Sequence, residues 1–419
     1  MGRVIPPSLC ARCKGYKRLC GLSSCPILER FRAQVRAVSG VSGRRLEGSS
    51  PPSVVVGESG YPKVPLLYSV PPGVSGDRAR VFDDPPGWFS RRASLAEILR
   101  YRSSLVSGVL RVDARSPEKL YELEVSLAAV SASPVDTEAL LEHPPLPALR
   151  FDGLLAPQGP SAPARTVKIF SNPRLPRALE KRIWDDARAS DIVVEAYRDG
   201  ASIYSIISAL SLGLIGRLKS RRLVPTRWAI TAVDNIISTT LLHKVRAFPE
   251  INQVEVYHGS YLGNHYTIIL LPGTYSAELI EVWHPLTPWT RHAREPVTYR
   301  VIERVSLRQN IMDGGFMAIR LGLAEQLYRR RRQARALIVR EITRDYYAPL
   351  GNWHIRETIR KILLDKPQVY DSVEEALKQA SKFLSTTARG SLTQSILLKE
   401  EKSMVKLDKF LKAKKPFLG

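Results

Sequence analysis

Beyond residue 25 this 419-residue chain has no cysteine. The body of the protein therefore has no disulfide staples and no thiol nucleophile. Histidine is also scarce, with seven in all. No apolar run suits a bilayer: the longest uncharged stretch of note, ASIYSIISALSLGLIG over 201–216, has sixteen residues and four serines. A spanning helix needs about 20 apolar residues, so this stretch reads as a buried helix. Residues 1–7 (MGRVIPP) lack the apolar core of a signal peptide, and Pro6 breaks a myristoylation pattern. A cytoplasmic, nucleoid-associated protein with no membrane partner is expected. The chain has no GxxxxGK[ST] loop, GxGxxG fingerprint, HExxH or GxSxG elbow, so motor ATPase, dinucleotide redox and serine hydrolase chemistry lack support. No paired-carboxylate spacing marks a nuclease, and no internal repeat is evident.

Acidic residues are the remaining shortage. Forty Asp and Glu face 63 Lys and Arg, a formal net charge of +23. An excess this one-sided points to a polyanion, and nucleic acid is the expected partner. General solubility or a charged surface network explains many charges but not their imbalance.

The four cysteines that are present lie within sixteen residues, as Cys10-x2-Cys13-x6-Cys20-x4-Cys25. Two close pairs at this spacing suit one tetrahedral metal ion held by thiolates. The expectation is one structural Zn2+ per chain, since four thiolates leave no open position for water. An iron–sulfur cluster is the alternative, and two small disulfides would need an oxidising compartment. Gly15 and Gly21 suit tight turns beside the ligands.

The expected fold class is α+β: a large mixed sheet-containing domain and a helical C-terminal region, preceded by the small zinc knuckle. The boundaries are 1–30 for the knuckle, 31–290 for a mixed α/β domain, 291–390 for a helical domain and 391–419 for a flexible basic tail. Within this scheme 38–53 reads as a linker and 143–164, with six prolines, as a long loop. Strands are expected at Val54–Val56, Val167–Phe170 and Ile192–Val194. Val254–Tyr257 and Thr267–Leu271 read as a strand pair around a seven-residue connection. Prolines 285, 288 and 296 mark the break near 290. Beyond it, helical spacing runs from Phe316 to about Thr343, and Asn352 can cap a helix through Ile355, Ile359 and Leu363. Ser372-x-x-Glu375 opens another with Gly390 as its stop.

Two basic clusters are candidate nucleic-acid contacts. Residues 217–227 hold five basic groups and no acid: Arg217, Lys219, Arg221, Arg222 and Arg227, followed by Trp228. Arginine holds phosphate and an indole stacks on bases, although a solvated loop over a buried Trp228 is the plainer reading. The second cluster is Arg329, Arg330, Arg331 and Arg332. On a helix four consecutive arginines sweep most of the circumference, so Arg330 or Arg331 must interrupt the apolar stripe. That arginine either snorkels, pairs with a carboxylate or meets phosphate.

His258 and His265 bracket the connection between the paired strands, which would bring their imidazoles together. With Asp234 and Glu255 as candidate carboxylates, and His284 as a further ligand or relay, they form a speculative catalytic or metal-binding set. A polar hairpin end is the plainer reading. In the tail, Met404, Leu407, Phe410 and Leu411 resemble the peptide that docks on the replication sliding clamp PCNA. Met404 stands where that motif normally has glutamine. The hydrophobic plug is intact, and flanking lysines suit an acidic clamp surface.

Longer stretches resemble the archaeal Nre family of DNA-repair proteins. They are VPTRWAITAVD over 224–234, YLGN over 261–264 running into TIILLPG over 267–273, RALIVREITRDYYAPLGNWHIR over 335–356, and Val56-Gly57-x-x-Gly60-Tyr61-Pro62. The resemblance implies a role after DNA damage, a C-terminal clamp-binding peptide and separate N- and C-terminal family segments. It implies no catalytic mechanism. A clamp-recruited DNA-binding repair factor is thus the first expectation. A nucleic-acid-processing enzyme (a nuclease or a base- or backbone-modifying activity) and an RNA-binding or tRNA-processing protein are the alternatives.

Overall fold

Helix α1 (Pro26–Ser39) starts directly after Cys25, which occupies its N-cap position, with proline in the first turn where a missing N–H costs nothing. The computed structural model describes residues 12–13, 15–19, 25–148, 159–290, 293–304 and 313–403. The first sheet is built from β1 (Arg45–Ser50), β2 (Val55–Val56), β3 (Lys63–Val70), β4 (Val106–Asp113), β5 (Val135–Leu141) and β6 (Ser161–Ile169). Its order is β1-β5-β6-β4-β3-β2, antiparallel except where β4 meets β6. Strand β3 shows why it forms: Val64, Leu66, Tyr68 and Val70 are buried while the intervening residues face outward, the period of a sheet with one covered face.

Between and after these strands come α2 (Pro85–Ser90), α3 (Leu95–Ser103), α4 (Glu118–Glu122), α5 (Val125–Ala129), α6 (Arg177–Ile183), α7 (Ala189–Arg198) and α8 (Ile203–Ser211). Ser94 and Glu97 close a full capping box on α3. Helix α9 (Thr226–Val245) is the spine of the molecule. Its Ala229, Val233 and Ile237 belong to the core of the first sheet, and its Leu242 and Val245 to that of the second.

The second sheet comprises β7 (Val254–Tyr261), β8 (Asn264–Leu271), β9 (Ser276–Trp283), β10 (Val297–Glu303), β11 (Arg335–Ile342) and β12 (Gln368–Tyr370), in the order β10-β9-β11-β8-β7-β12. Strands β9 and β11 are parallel and the other pairs antiparallel. Helices α10 (Gly314–Arg330) and α11 (Trp353–Leu364) cover one face, through Phe316, Ile319, Leu323, Ile355 and Ile359. Helices α12 (Val373–Ala380), α13 (Thr386–Thr393) and α14 (Ile396–Ser403) cover the other, through Ala376, Ala388, Leu392 and Leu398. Helices α2 and α3 close one end of this sheet, where Trp88 packs on Trp353 and the Tyr261 hydroxyl donates to the Ala93 carbonyl at 2.8 Å.

The mixed α+β class is as expected, with helices interspersed throughout. The break near 290 does not separate folding units: β7, β8 and β9 precede it, yet share a sheet with β10, β11 and β12. The prolines there mark a connection inside one sheet. Helical spacing from 316 to 343 also gives way. Arg331 turns into the left-handed region (φ 51°) and ends α10, and residues 335–342 form the central strand β11. All eight of its residues are buried, because both faces are covered, so no period of two survives in its sequence. Ile192–Val194 lies in α7, and Gly390 lies inside α13. The supposed linker contains β1, whose Gly48 approaches Pro71 so closely that a Cβ would lie 2.7 Å from its carbonyl oxygen.

The hairpin joining β7 and β8 forms as expected, but with longer strands and a two-residue turn. Leu262 (φ 51°) and Gly263 (φ 71°) both adopt positive φ, the requirement of a tight hairpin turn with the native strand twist. The described C-terminal segment is not free of packing either. Buried Glu278 on β9 accepts hydrogen bonds from Ser395 Oγ (2.7 Å), Ile396 N (3.1 Å) and Leu397 N (2.9 Å), capping α14. Among the described residues no helix is long and apolar enough to cross a membrane.

Candidate nucleic-acid interface

The segment from Arg217 to Trp228 crosses the surface of the first half, pinned at both ends. At one end Leu218 N donates to Asp186 Oδ1 at 2.8 Å. There Arg221 is consumed internally: its guanidinium donates to the carbonyls of Gly216 (3.0 Å), Ile183 (2.8 Å) and Asp185 (3.0 Å). Burial holds the Arg221 guanidinium below its ordinary value, against the nearby Asp186 and Asp185 carboxylates. At the other end Leu223 N donates to the Ala114 carbonyl, and the Thr226 hydroxyl, at the start of α9, accepts from Val56 N, both at 2.8 Å.

Fixing the backbone in this way leaves the remaining side chains outward. Arg217, Lys219, Arg222, Arg227 and Trp228 are all exposed, the indole by 59%. Among the described residues no hydrogen bond or ion pair engages the side chains of Arg217 and Lys219, and Arg222 donates to the neighbouring Arg221 carbonyl. Arg227 stands 3.7 Å from Glu58 in a solvated contact of little energetic weight. The indole is thus a surface group among cations rather than part of a core.

The second cluster divides. Arg330 turns inward and pairs with Glu255, donating to Oε2 at 2.6 Å and to the Tyr257 hydroxyl at 3.0 Å. The Glu255 carboxylate raises the Arg330 pKa further above its ordinary value. This is the arginine that interrupts the apolar stripe, and a carboxylate resolves it. Arg329 and Arg331 are exposed, while Arg332 is half-buried and donates to the Arg331 carbonyl.

The speculative catalytic set does not converge. Asp234 on α9 is fully buried and receives two hydrogen bonds from Arg356 on α11, at 3.0 and 2.7 Å. Glu255 and Tyr257 project from one face of β7, toward α10. His258, one residue on, projects from the other, where its ring stacks on Phe383 at 4.3 Å between centroids. His258 and His265 are neighbours, as expected. Burial and then the neighbouring His265 hold the His258 imidazole below its ordinary value, opposed by a backbone hydrogen bond at Tyr266 and by the Glu341 carboxylate. Glu341 is a carboxylate on this face: its Oε1 lies 3.2 Å from His284 Nε2, and its Oε2 accepts from Ser385 N at 3.1 Å. Its place in the run misread as helix concealed it. Among the described residues no three His, Cys, Asp or Glu side chains are grouped to hold a metal ion.

Of the four cysteines, Cys10 and Cys20 lie outside the described residues. Cys13 is buried and Cys25 half-buried. The backbone hydrogen bond from Leu19, together with those at Gly15, Arg18 and Lys17, holds the Cys13 thiol below its ordinary value against the effect of burial. Gly15 has φ +81° and packs on Leu28 of α1 so closely that a Cβ would overlap it. A sulfur ringed by backbone N–H groups suits a thiolate ligand. Met404, Leu407, Phe410 and Leu411 lie outside the described residues.

Two exposed aromatics beside the basic segment are absent from the candidate contacts named in the sequence. Tyr61 is 70% exposed on the loop before β3, and Trp184, exposed after α6, packs edge-on against Tyr121. The Gly60-Tyr61-Pro62 turn signal was the available clue to the first.

A family model described as "Archaeal Nre, N-terminal" matches residues 19–290, and one described as "Archaeal Nre, C-terminal" matches residues 303–410. The chain is 37% identical over 379 residues to DNA repair protein NreA of Archaeoglobus fulgidus, covering 89% of this chain and 93% of the relative. It is 35% identical over 395 residues to DNA repair protein NreB of the same organism, covering 93% and 97%. To DNA repair protein NreA of Haloferax volcanii it is 31% identical over 380 residues, covering 88% and 90%. No solved structure matches the chain.

Proposed function

Because this chain belongs to the archaeal Nre family, and relatives that match it nearly end to end are DNA-repair proteins, we propose that it is a DNA-repair factor that binds DNA. The observation that carries the binding role is the exposed group around Trp228. Arg217, Lys219 and Arg222 meet no carboxylate among the described residues, on a chain of net charge +23. Cations unpaired with carboxylates neutralise phosphates and release counterions, which gives affinity and a steep salt dependence. Arg329 and Arg331 are a second exposed pair. Arg221 and Arg330 serve the fold.

In the same reading the C-terminal peptide 404–411 recruits the protein to the PCNA sliding clamp after DNA damage, as the sequence spacing of Leu407, Phe410 and Leu411 suggests. Cys10, Cys13, Cys20 and Cys25 hold a structural Zn2+, supported by the N–H groups around the Cys13 sulfur and by the start of α1 at Cys25. No chemical step is assigned to the metal.

The test is a titration of labelled duplex DNA followed by fluorescence anisotropy between about 50 and 200 mM salt. The wild type is expected to weaken steeply with salt. Replacing Arg217, Lys219, Arg222 and Arg227 together by alanine should flatten the slope by up to about 3.6, at roughly 0.9 per phosphate contact. Binding that is weak at low salt and unchanged in the variant would overturn the reading.

A further inference from the structure

The basic segment is flanked by aromatic rings in a way that names the form of its ligand. At its start, Leu218 and Arg221 bond the backbone and side chain of residues 183–186, which carry the exposed Trp184. At its end, Arg227 reaches Glu58 and is followed by Trp228. Tyr61 belongs to this end too. Pro62 accepts a hydrogen bond from Ala114 N (2.7 Å), and the Ala114 carbonyl accepts from Leu223 N (2.8 Å), so the Tyr61 loop, β4 and the basic segment are laced side by side. The exposed Arg115 stands there as well, paired bidentately with Asp113. These hydrogen bonds place one exposed indole at the start of the basic segment, and a second exposed indole and a phenol at its end.

Duplex DNA hides the faces of its bases, and a positively charged surface alone suffices to bind its backbone. Exposed rings of this size add nothing to phosphate binding, and each costs apolar exposure to water. A strand with unstacked bases uses both features: phosphates follow the cations and bases stack on the rings. The nearby acids do not repel such a strand fully, since Asp113 is neutralised by Arg115 and Glu58 faces Arg227.

We propose that the surface between Trp184 and Trp228, with Tyr61 on the loop laced to its far end, binds a single-stranded segment of DNA by base stacking. This deepens the DNA-binding reading and rests on it. It is tested with the full chain by anisotropy on a labelled oligodeoxythymidylate and on a hairpin duplex, for the wild type, Trp228→Ala and Trp228→Phe. The indole is exposed, so neither substitution burdens the fold. Trp228→Ala should weaken oligothymidylate binding by about tenfold with an unchanged salt slope, and Trp228→Phe should keep most of the affinity. Duplex affinity should fall less than oligothymidylate affinity in Trp228→Ala.

Tighter binding of duplex than of oligothymidylate, or equal oligothymidylate affinity for wild type and Trp228→Ala, would overturn the proposal while leaving DNA binding in place. Failure to bind either ligand would sink both readings. An oligouridylate arm tests the assignment to DNA: it should bind no more tightly than oligothymidylate, and tighter binding would overturn the proposal.

Discussion

Arg356 on α11 and Asp234 on α9 form a two-point ion pair at 3.0 and 2.7 Å, with side-chain exposures of 1% and 0%. Asp234 lies in the part of α9 that packs in the core of the first sheet, and Arg356 in a helix that covers the second. Tyr204 of α8 adds its ring 5.6 Å from the guanidinium. Burial opposes charge on both members, and the Asp234 carboxylate raises the Arg356 pKa above its ordinary value despite it. The pair is a structural tie between the two halves.

Removing one member leaves a buried charge unmatched. Asp234→Ala should lose about 3–5 kcal/mol of stability by urea denaturation. An apolar pair of similar volume, Asp234→Leu with Arg356→Met, should recover most of that loss. If Asp234→Ala kept full stability but lost a nucleic-acid-processing activity, the structural assignment would be wrong.

Neighbouring arginines of the second cluster should behave differently. Arg330→Ala strands Glu255 and should destabilise the fold by about 2 kcal/mol, with an unchanged salt slope of DNA binding. Arg329→Ala with Arg331→Ala should leave the urea midpoint in place and reduce the slope by up to about 1.8. Matching behaviour of the two variants would remove the distinction.

His354 supplies a pH dependence. It is fully buried, its Nε2 lies 3.2 Å from the Tyr346 hydroxyl, and burial, then the charge of Arg340, holds its imidazole well below the ordinary value. The folded state keeps it neutral, while the unfolded chain protonates it as pH falls below about 6.5. Below that pH the unfolded state binds the extra proton, so this group's contribution falls by about 1.4 kcal/mol per pH unit until the folded-state pKa is reached. Urea midpoints from pH 7.5 to 5 should show this decline, and a stable His354→Gln variant should show less of it. Equal slopes would contradict the assignment.

The C-terminus offers two truncations with different outcomes. Removing residues 404–419 should abolish capture by PCNA and spare both stability and DNA affinity. Removing residues 396–419 also deletes α14 and leaves Glu278 without its Ile396 and Leu397 donors, so the melting temperature should fall as well. Capture that survives the first truncation would sink the tail assignment.

Metal analysis of the purified protein addresses the cysteines. About one zinc per chain and no visible absorbance are expected for a four-thiolate site. A brown protein would point to iron–sulfur instead.

Much of this was legible in the sequence where local rules govern. Ser372 accepts from Glu375 N at the start of α12, the 201–216 run buries as α8, and the β7–β8 hairpin forms. The arginine that had to interrupt the α10 stripe is Arg330. What failed depends on tertiary cover. A strand buried on both faces, β11, carries no alternation, and the break at 290, which falls between the two family segments, lies inside one sheet because sheet order is not chain order. The same limit applies to the candidate site. Local composition marked Arg217 to Trp228, but the lacing of the Tyr61 loop and Trp184 beside it depends on hydrogen bonds between distant segments. Nor does charge spacing tell that Arg221 is spent on three carbonyls while Lys219 remains outside.

The central claim is that nucleic acid lies across the segment from Arg217 to Trp228. Photo-crosslinking the intact protein to a short DNA strand, with the crosslinked peptides mapped by mass spectrometry, tests it most directly. Crosslinks at Trp228 and Tyr61 are predicted, lost on competition with unlabelled strand. Specific crosslinks confined to other surfaces, with none in 217–228 or at Tyr61, would contradict it.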